Sequence, residues 1–254
     1  MFQNYEKRFS IRSYDGFNWS MASGFEEVVV DGTSKYYVVD YIKSRIVTFD
    51  QSWVFSSFCN LPHNLTHSTK YVDGSFYFAS DDYFYKTNSN FSEIRNFYRM
   101  SSVYREIVFD LSSSKFYVAS RNLNYIHVFD KSCSLLQTIQ FDFKPSGLAL
   151  KNSNLFVGNF YNYSSILVLN SVLNGSVDKT IRISDFLIGI TSITIDSFGY
   201  MALSFPRNNF FQLYDWNGTD MNTEITASSA KCIVVVDSNH RLIIVSAHSI
   251  DIYY

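Results

Sequence analysis

Phe76-Tyr77-Phe78-Ala79-Ser80 and, forty positions later, Phe116-Tyr117-Val118-Ala119-Ser120 are nearly the same five residues. Each is preceded by a short apolar run and a polar link, and each is followed by a second polar link and a third run. The same plan recurs six times along the chain. The equivalents of the quoted stretch are Tyr36 to Asp40, Leu155 to Asn159, Gly199 to Leu203 and Leu242 to Ser246. First runs precede them at Glu27 to Asp31, Lys70 to Asp73, Glu106 to Asp110, Gly147 to Lys151, Ser192 to Asp196 and Cys232 to Asp237. Third runs follow at Arg45 to Asp50, Tyr83 to Asn88, Tyr125 to Asp130, Ile166 to Ser171, Phe210 to Asp215 and Ser249 to Tyr254. The links between first and second runs are built from Gly, Ser, Asp and Asn, which accept hairpin geometry at low cost.

The last residues of the first runs are 42, 37, 41, 45 and 41 positions apart. A spacing near 41 is the period of a four-stranded propeller blade. A more polar fourth strand follows the first five triplets, for instance at Leu135 to Phe141 and Asp178 to Ile183. The sixth triplet ends at Tyr254, and Asp15 to Met21 stand at about the right offset to supply its missing strand. The expectation is one all-β domain over 1–254, a six-bladed β-propeller of four-stranded antiparallel blades. Its repeats fall near 26–66, 67–104, 105–146, 147–190, 191–230 and 231–254, the last completed by 9–21. A ring closed by both termini leaves no sheet edge open to aggregation. A sandwich also has short strands at regular spacing, but it does not repeat one order of strand character six times.

The stretch Val38-Val39-Asp40-Tyr41-Ile42-Lys43-Ser44-Arg45-Ile46-Val47-Thr48-Phe49-Asp50 resembles the V-x-D-x-x-N-x-R-I-x-V-F-D motif of NHL repeats. Val118 to Asp130 resembles it less closely, with Ser120 and Arg121 in the Asp region and Tyr125-Ile126 for Arg-Ile. The later repeats keep the strand pattern and lose the Arg and Asp. The resemblance implies a fold over the whole chain, and a fold does not fix a function.

Composition agrees with β structure: 24 Phe and 19 Tyr stand against 10 Gly and 3 Pro. The net charge of −2, from 21 Lys plus Arg and 23 Asp plus Glu without charge blocks, offers no electrostatic case for nucleic acid or an acidic membrane. Cys59, Cys133 and Cys232 are odd in number, far apart and in different repeats, so they read as buried thiols without a disulfide. No apolar h-region opens the chain and no run reaches the ~18 apolar residues of a membrane span, so a soluble chain is expected. Six sequons (Asn18, Asn64, Asn90, Asn162, Asn174 and Asn217) keep an extracellular origin open as part of a longer protein.

Few residue patterns in the chain carry a chemical signature. His63 and His67 form an H-x3-H pair, but Pro62 precedes them and no HExxH glutamate follows, so a loop is expected rather than zinc. His127 alternates with Ile126 and Val128 and is expected to face a neighbouring sheet or solvent; His240 and His248 fall in turns. Asp81-Asp82 reads as a solvated turn, because adjacent residues of an extended chain point apart. No G-x-S-x-G elbow, P-loop or G-x-G-x-x-G occurs. Inner strands are expected to begin with apolar or small residues, and no cofactor or metal is assigned.

In a propeller the loops from second to third strands and from fourth to first strands share one face. That face is expected to collect Tyr41, Lys43, Arg45, Asp81, Tyr83, Arg121, Asn122, Asn124, Tyr125, Phe160, Tyr161, Tyr163, Phe205, Arg207 and Asn208. Tyr41, Lys43, Arg45, Tyr83, Arg121, Tyr125, Tyr161, Tyr163 and Arg207 are the candidate binding residues, read as exposed. Aromatic, Arg and Asn side chains suit recognition because they bring contact area and adaptable hydrogen bonds. The expected function is a non-enzymatic binding module for a protein, peptide or glycan. A metal-dependent lactonase- or lyase-type propeller enzyme and a single-stranded RNA binder are the alternatives.

Overall fold

The computed structural model of the chain describes residues 7–11, 25–30, 35–41, 43–61, 66–91, 94–99, 103–120, 122–160, 164–170, 177–184, 189–196, 198–205, 208, 210–226, 230–236, 241–246 and 250–253. Its strands fall into six four-stranded antiparallel sheets. Strand β1 (Lys7–Ile11) belongs to the last of them. The first sheet is β2 (Phe25–Val30), β3 (Tyr36–Asp40), β4 (Arg45–Phe49) and β5 (Phe55–Asn60). The second is β6 (Thr66–Val72), β7 (Ser75–Ser80), β8 (Tyr83–Thr87) and β9 (Ile94–Arg99), and the third β10 (Tyr104–Asp110), β11 (Lys115–Ser120), β12 (Tyr125–Phe129) and β13 (Leu135–Gln140). The fourth is β14 (Pro145–Lys151), β15 (Asn154–Asn159), β16 (Ser164–Asn170) and β17 (Val177–Ser184). The fifth is β18 (Ser192–Ile195), β19 (Met201–Phe205), β20 (Phe210–Tyr214) and β21 (Asp220–Thr226). The sixth is β22 (Ala230–Val236), β23 (Arg241–Ser246) and β24 (Ile250–Tyr253), with β1 beside β24. The chain is an all-β propeller with four-stranded antiparallel blades. First strands adjoin in chain order, β2 to β6 to β10 to β14 to β18 to β22, and β22 also touches β2.

Two boundaries differ from the sequence reading. The strand paired with β24 is Lys7–Ile11, with Phe9 opposite Ile252 and Ile11 opposite Ile250. Asp15 to Met21 lie outside the described residues. Ile11 and Phe25 are separated by residues 12–24, a longer connection than that from Asn60 to Thr66. First strands also begin earlier than their apolar runs, at Thr66, Tyr104, Pro145 and Ala230, because ladder pairing is made by the backbone and does not need a continuous apolar run.

Second strands carry the core. β3, β7 and β19 are buried at every position, as expected of strands covered on both faces. Alternate residues then serve two layers. Phe76 and Phe78 pack toward the first sheet with Tyr37, Val39 and Ile46. Tyr77 and Ala79, between them in sequence, pack toward the third with Tyr104, Phe116, Val118 and Phe129. The same logic joins Tyr117, Ala119, Ile126 and Val128 to Leu148, Leu155 and Val157, and Phe156 and Ile166 to Ile193 and Leu203. Rings interlock across these layers, with Tyr77–Phe116 centroids 4.2 Å apart and Phe84–Phe129 4.5 Å apart.

The Asp that closes several third runs builds the turn to the fourth strand. Asp130 Oδ1 accepts from Ser132 N (2.8 Å), Ser134 N (2.9 Å) and Ser132 Oγ (2.6 Å). Asp50 Oδ1 accepts from Ser52 N and Val54 N, and Asp215 Oδ1 from Asn217 N and Thr219 N, in the same pattern. Burial opposes ionisation of Asp130 and Asp215, but these donors outweigh it and hold both carboxyls below the usual range. Three positions after each Asp the backbone is left-handed: Trp53 (φ 63), Cys133 (φ 63) and Gly218 (φ 90). Trp53 turns this to use, stacking on Tyr36 at 3.9 Å.

At Gly218 there is no room for a side chain. A Cβ there would overlap Ile181 Cγ2, whereas at Gly74 (φ 74) it would meet nothing within 4 Å. Gly74→Ala should cost about 1–2 kcal/mol from backbone strain alone. Gly218→Ala should cost roughly 1–3 kcal/mol more through overpacking. Urea unfolding of the two variants checks this, and equal losses would refute the steric account.

Candidate functional site

The second strands end on small or acidic polar residues that are buried nonetheless. Asp40, Ser80, Ser120, Asn159 and Ser204 are 0–9% exposed. Each lies at or next to the point where the chain leaves for the third strand, and three of them tie that loop down. Asp40 Oδ2 accepts from Arg45 Nε at 2.9 Å. Ser80 Oγ accepts from Tyr83 N (3.0 Å) and donates to Tyr83 O (3.1 Å). Ser120 Oγ accepts from Leu123 N at 3.1 Å. Backbone groups hold the other two, through Ile190 N to Asn159 O and Thr191 N to Ser204 O. A buried polar group needs such a partner, so sequence position and loop shape are coupled.

The candidate binding residues divide three ways. Lys43 is exposed in the β3–β4 turn, and Tyr41 beside it is half-buried. Asn122 and Asn208 are exposed, while Asn124 and Asp81 are half-buried. Arg45, Tyr83 and Tyr125 are half-buried and structurally engaged. The Arg45 guanidinium sits 5.2 Å from the Phe58 ring, and Tyr83 meets Phe97 edge-on at 5.9 Å. Tyr125 packs edge-on against His127 at 4.5 Å, and the Tyr104 hydroxyl donates to its oxygen at 3.4 Å. Phe160 and Phe205, expected on the recognition surface, are core residues at 7% and 0% exposure, and Phe205 packs in the layer between the fourth and fifth sheets. Arg121, Tyr161, Tyr163 and Arg207 lie outside the described residues.

Other expectations sort similarly. Asp82 is exposed in a bend. Asn90 and Asn217 stand in exposed turns; the remaining sequon asparagines lie outside the described residues, as do His63, His240 and His248. Cys59 is half-buried, and its thiol is 3.6 Å from Asn60 O and 3.8 Å from Asn90 O. Cys133 is buried, which pushes its thiol up to about 12 against the opposing pull of Lys86. Among the described residues, no three or more His, Cys, Asp or Glu are grouped to hold a metal ion. Also among them, no helix is long and apolar enough to cross a membrane.

His127 takes the inter-sheet alternative left open by the sequence. It is 8% exposed, between Tyr98, Tyr104, Tyr125 and Phe129. Its buried Nδ1 has no hydrogen-bond partner. Burial lowers the imidazole to about 4, since a cation there would lose its hydration without gaining a counter-charge.

No family model matches the chain, and no curated protein does. Solved structures do. The WD40 β-propeller domain of Doa1 is similar with a TM-score of 0.70 at 14% identity, covering 99% of this chain and 97% of that one. A catalytically inactive virginiamycin B lyase from Staphylococcus aureus, solved with quinupristin, is similar with a TM-score of 0.69 at 12% identity, covering 90% and 80%. Likeness at such identities establishes the propeller fold and nothing finer.

His127 also sets a pH dependence. The folded imidazole titrates near 4 and the unfolded one near 6.5. Above about 6.5 both states are neutral; below it the unfolded chain takes up a proton that the folded chain refuses. Stability should therefore fall between roughly pH 6.5 and 4, by at most about 3 kcal/mol. In thermal melts across that range His127→Phe should lose distinctly less than the parent. Parallel curves would show that His127 is not the titrating group.

Proposed function

We propose that this chain is a six-bladed NHL-type propeller, closed by β1 on β24, that works as a non-enzymatic binding module for a protein, peptide or glycan. Recognition falls to the face that carries the second-to-third strand loops. One observation carries this reading: the loops are fastened from beneath by Asp40, Ser80 and Ser120, while Lys43 and Asn122 at their tips are exposed. Fastened stems lower the entropy lost when a loop is ordered by a ligand, and tips that differ between blades supply specificity. The pairing of Asp40 with Arg45 also supports the NHL likeness, since these are the Asp and Arg of the motif in the first repeat.

The half-buried tyrosines are poor probes of this reading, because truncating Tyr125 would remove packing against Tyr104 and His127. Lys43, Asn122 and Asn208 are better ones. A ligand is first obtained by affinity capture and glycan array with the intact chain. Lys43→Ala and Asn122→Ala should each weaken its binding by about 1–2 kcal/mol if they lie in a hot spot, with melting temperature nearly unchanged. Leu111→Ala, in the exposed turn between β10 and β11 at the opposite ends of these strands, should leave binding intact. The reverse pattern would move the recognition surface to the other face.

A further inference from the structure

Two large aromatic side chains of the fifth sheet stand in solvent side by side. Phe198 is 66% exposed in the turn between β18 and β19, and Trp216 is 49% exposed in the turn between β20 and β21. The two turns adjoin: a Cβ added at Gly199, next in the chain after Phe198, would lie 3.7 Å from Trp216 Cβ. Lys179 of the fourth sheet lies over the Trp216 ring at 4.4 Å, and the indole keeps its exposure despite that cover. A single exposed ring needs no explanation, but adjoining ones rimmed by polar residues mark an interaction site.

The residues that follow Trp216 supply an attachment point for whatever covers these rings. Asn217-Gly218-Thr219 is a sequon, and Asn217 is exposed directly beside the indole in sequence. Its turn is pinned from within. Asp215 Oδ1 accepts from Asn217 N at 2.9 Å and from Thr219 N at 2.7 Å, and Gly218 N donates to Asp215 O at 3.0 Å. Only the backbone of Asn217 takes part. Among the described residues its side-chain amide has no hydrogen-bond partner. Asn90, in the corresponding turn of the second sheet, is exposed as well, but the ring next to it, Phe91, is 7% exposed and packed in the core. Asn90 thus has an acceptor amide without a platform, whereas Asn217 has both.

We propose that Asn217 is an N-glycosylation site whose innermost sugar packs on Trp216 and Phe198. The reaction is a glycosyl transfer from a lipid-linked oligosaccharyl pyrophosphate, carried out by an oligosaccharyltransferase. Asn217 Nδ2 forms a bond to C1 of the sugar, and the bond from C1 to the pyrophosphate oxygen breaks. The pyrophosphate leaves with that electron pair, the amide gives up one proton, and nothing is oxidised or reduced. The acceptor triplet is defined by its Ser or Thr hydroxyl as much as by its Asn. In the folded turn the Thr219 hydroxyl donates to Asp215. Transfer therefore belongs to the extended chain, before this turn closes.

Once closed, the turn holds the sugar over the rings. A pyranose carries C–H groups on its faces and hydroxyls around its rim. The C–H face takes aromatic area out of water, while the hydroxyls stay hydrated and keep the modified turn soluble. The turn lies at the strand ends opposite the second-to-third strand loops, so a glycan here leaves Lys43 and Asn122 clear. The site is independent of the recognition reading above.

The first test is glycopeptide mapping of the chain purified from its native source. Release by peptide-N-glycosidase in heavy-oxygen water labels each occupied asparagine as it becomes aspartate. The peptide spanning Asn217 is expected to carry a glycan attached through an N-acetylhexosamine. An Asn217 that is unmodified in that material overturns the proposal. The second test addresses the rings. Parent and variants are produced through a eukaryotic secretory route, and glycans are trimmed to the innermost sugar with an endoglycosidase. The trimmed parent should melt above Asn217→Gln by roughly 1–2 °C. Between Trp216→Ala and the double variant Trp216→Ala, Asn217→Gln that difference should vanish, a comparison that cancels whatever Trp216→Ala costs by itself. An equal difference in both backgrounds, or none in the parent, refutes packing of the sugar on the rings. Should Trp216→Ala fail to fold, Phe198→Ala is used in the same cycle and read in the same way.

Discussion

A second strand that is buried at every position cannot be satisfied by one neighbour. β7 places Phe76 and Phe78 toward one adjoining sheet and Tyr77 and Ala79 toward the other, all at 0–1% exposure. Each blade therefore requires a blade on both sides, which is a different demand from that of a sandwich sheet with one wet face. The return of β22 to β2 gives the first and last sheets the neighbour that a linear stack would deny them. Hairpin turns, paired strand ends and fastened loops all follow from keeping these layers in register.

The same demand explains where polar residues are allowed inside. They appear at strand ends and turns, where a specific partner is available. The third runs Arg45 to Asp50, Tyr125 to Asp130 and Phe210 to Asp215 each close on an aspartate. Their chemistry is local: Asp50, Asp130 and Asp215 each gather backbone N–H groups of the turn that follows. The Asp40–Arg45 pair instead links a motif aspartate to a loop on the proposed recognition face. A repeated acidic residue is thus mostly a device for turning the chain, and the variable residues around it are freer to meet a ligand.

The aromatic richness has two meanings that composition alone cannot separate. Phe160, Phe205 and much of Tyr125 belong to the inter-sheet packing, whereas Phe198 and Trp216 stand in exposed turns on the opposite side. Lys179 lies over the Trp216 ring at 4.4 Å, so even there part of the aromatic surface is already engaged. His127 illustrates the cost of this economy of space: the imidazole is packed as an aromatic ring, and its unbonded Nδ1 is the consequence.

By itself the sequence determined the blade plan. Alternation, turn residues and a period near 41 specify strands, hairpins and their order, because these depend on neighbours along the chain. It also placed the three runs of each repeat within a few residues of β2 to β4 and their counterparts. What it left undecided depends on neighbours across sheets. Whether His127, Phe160 and Phe205 meet solvent turns on the blade next door, which no local pattern encodes. The early starts of the first strands, with slips in their pairing at Glu26, His67, Arg105 and Lys231, were hidden for a related reason. A bulge breaks the alternation by which strands are recognised, so it is legible only in the backbone pairing.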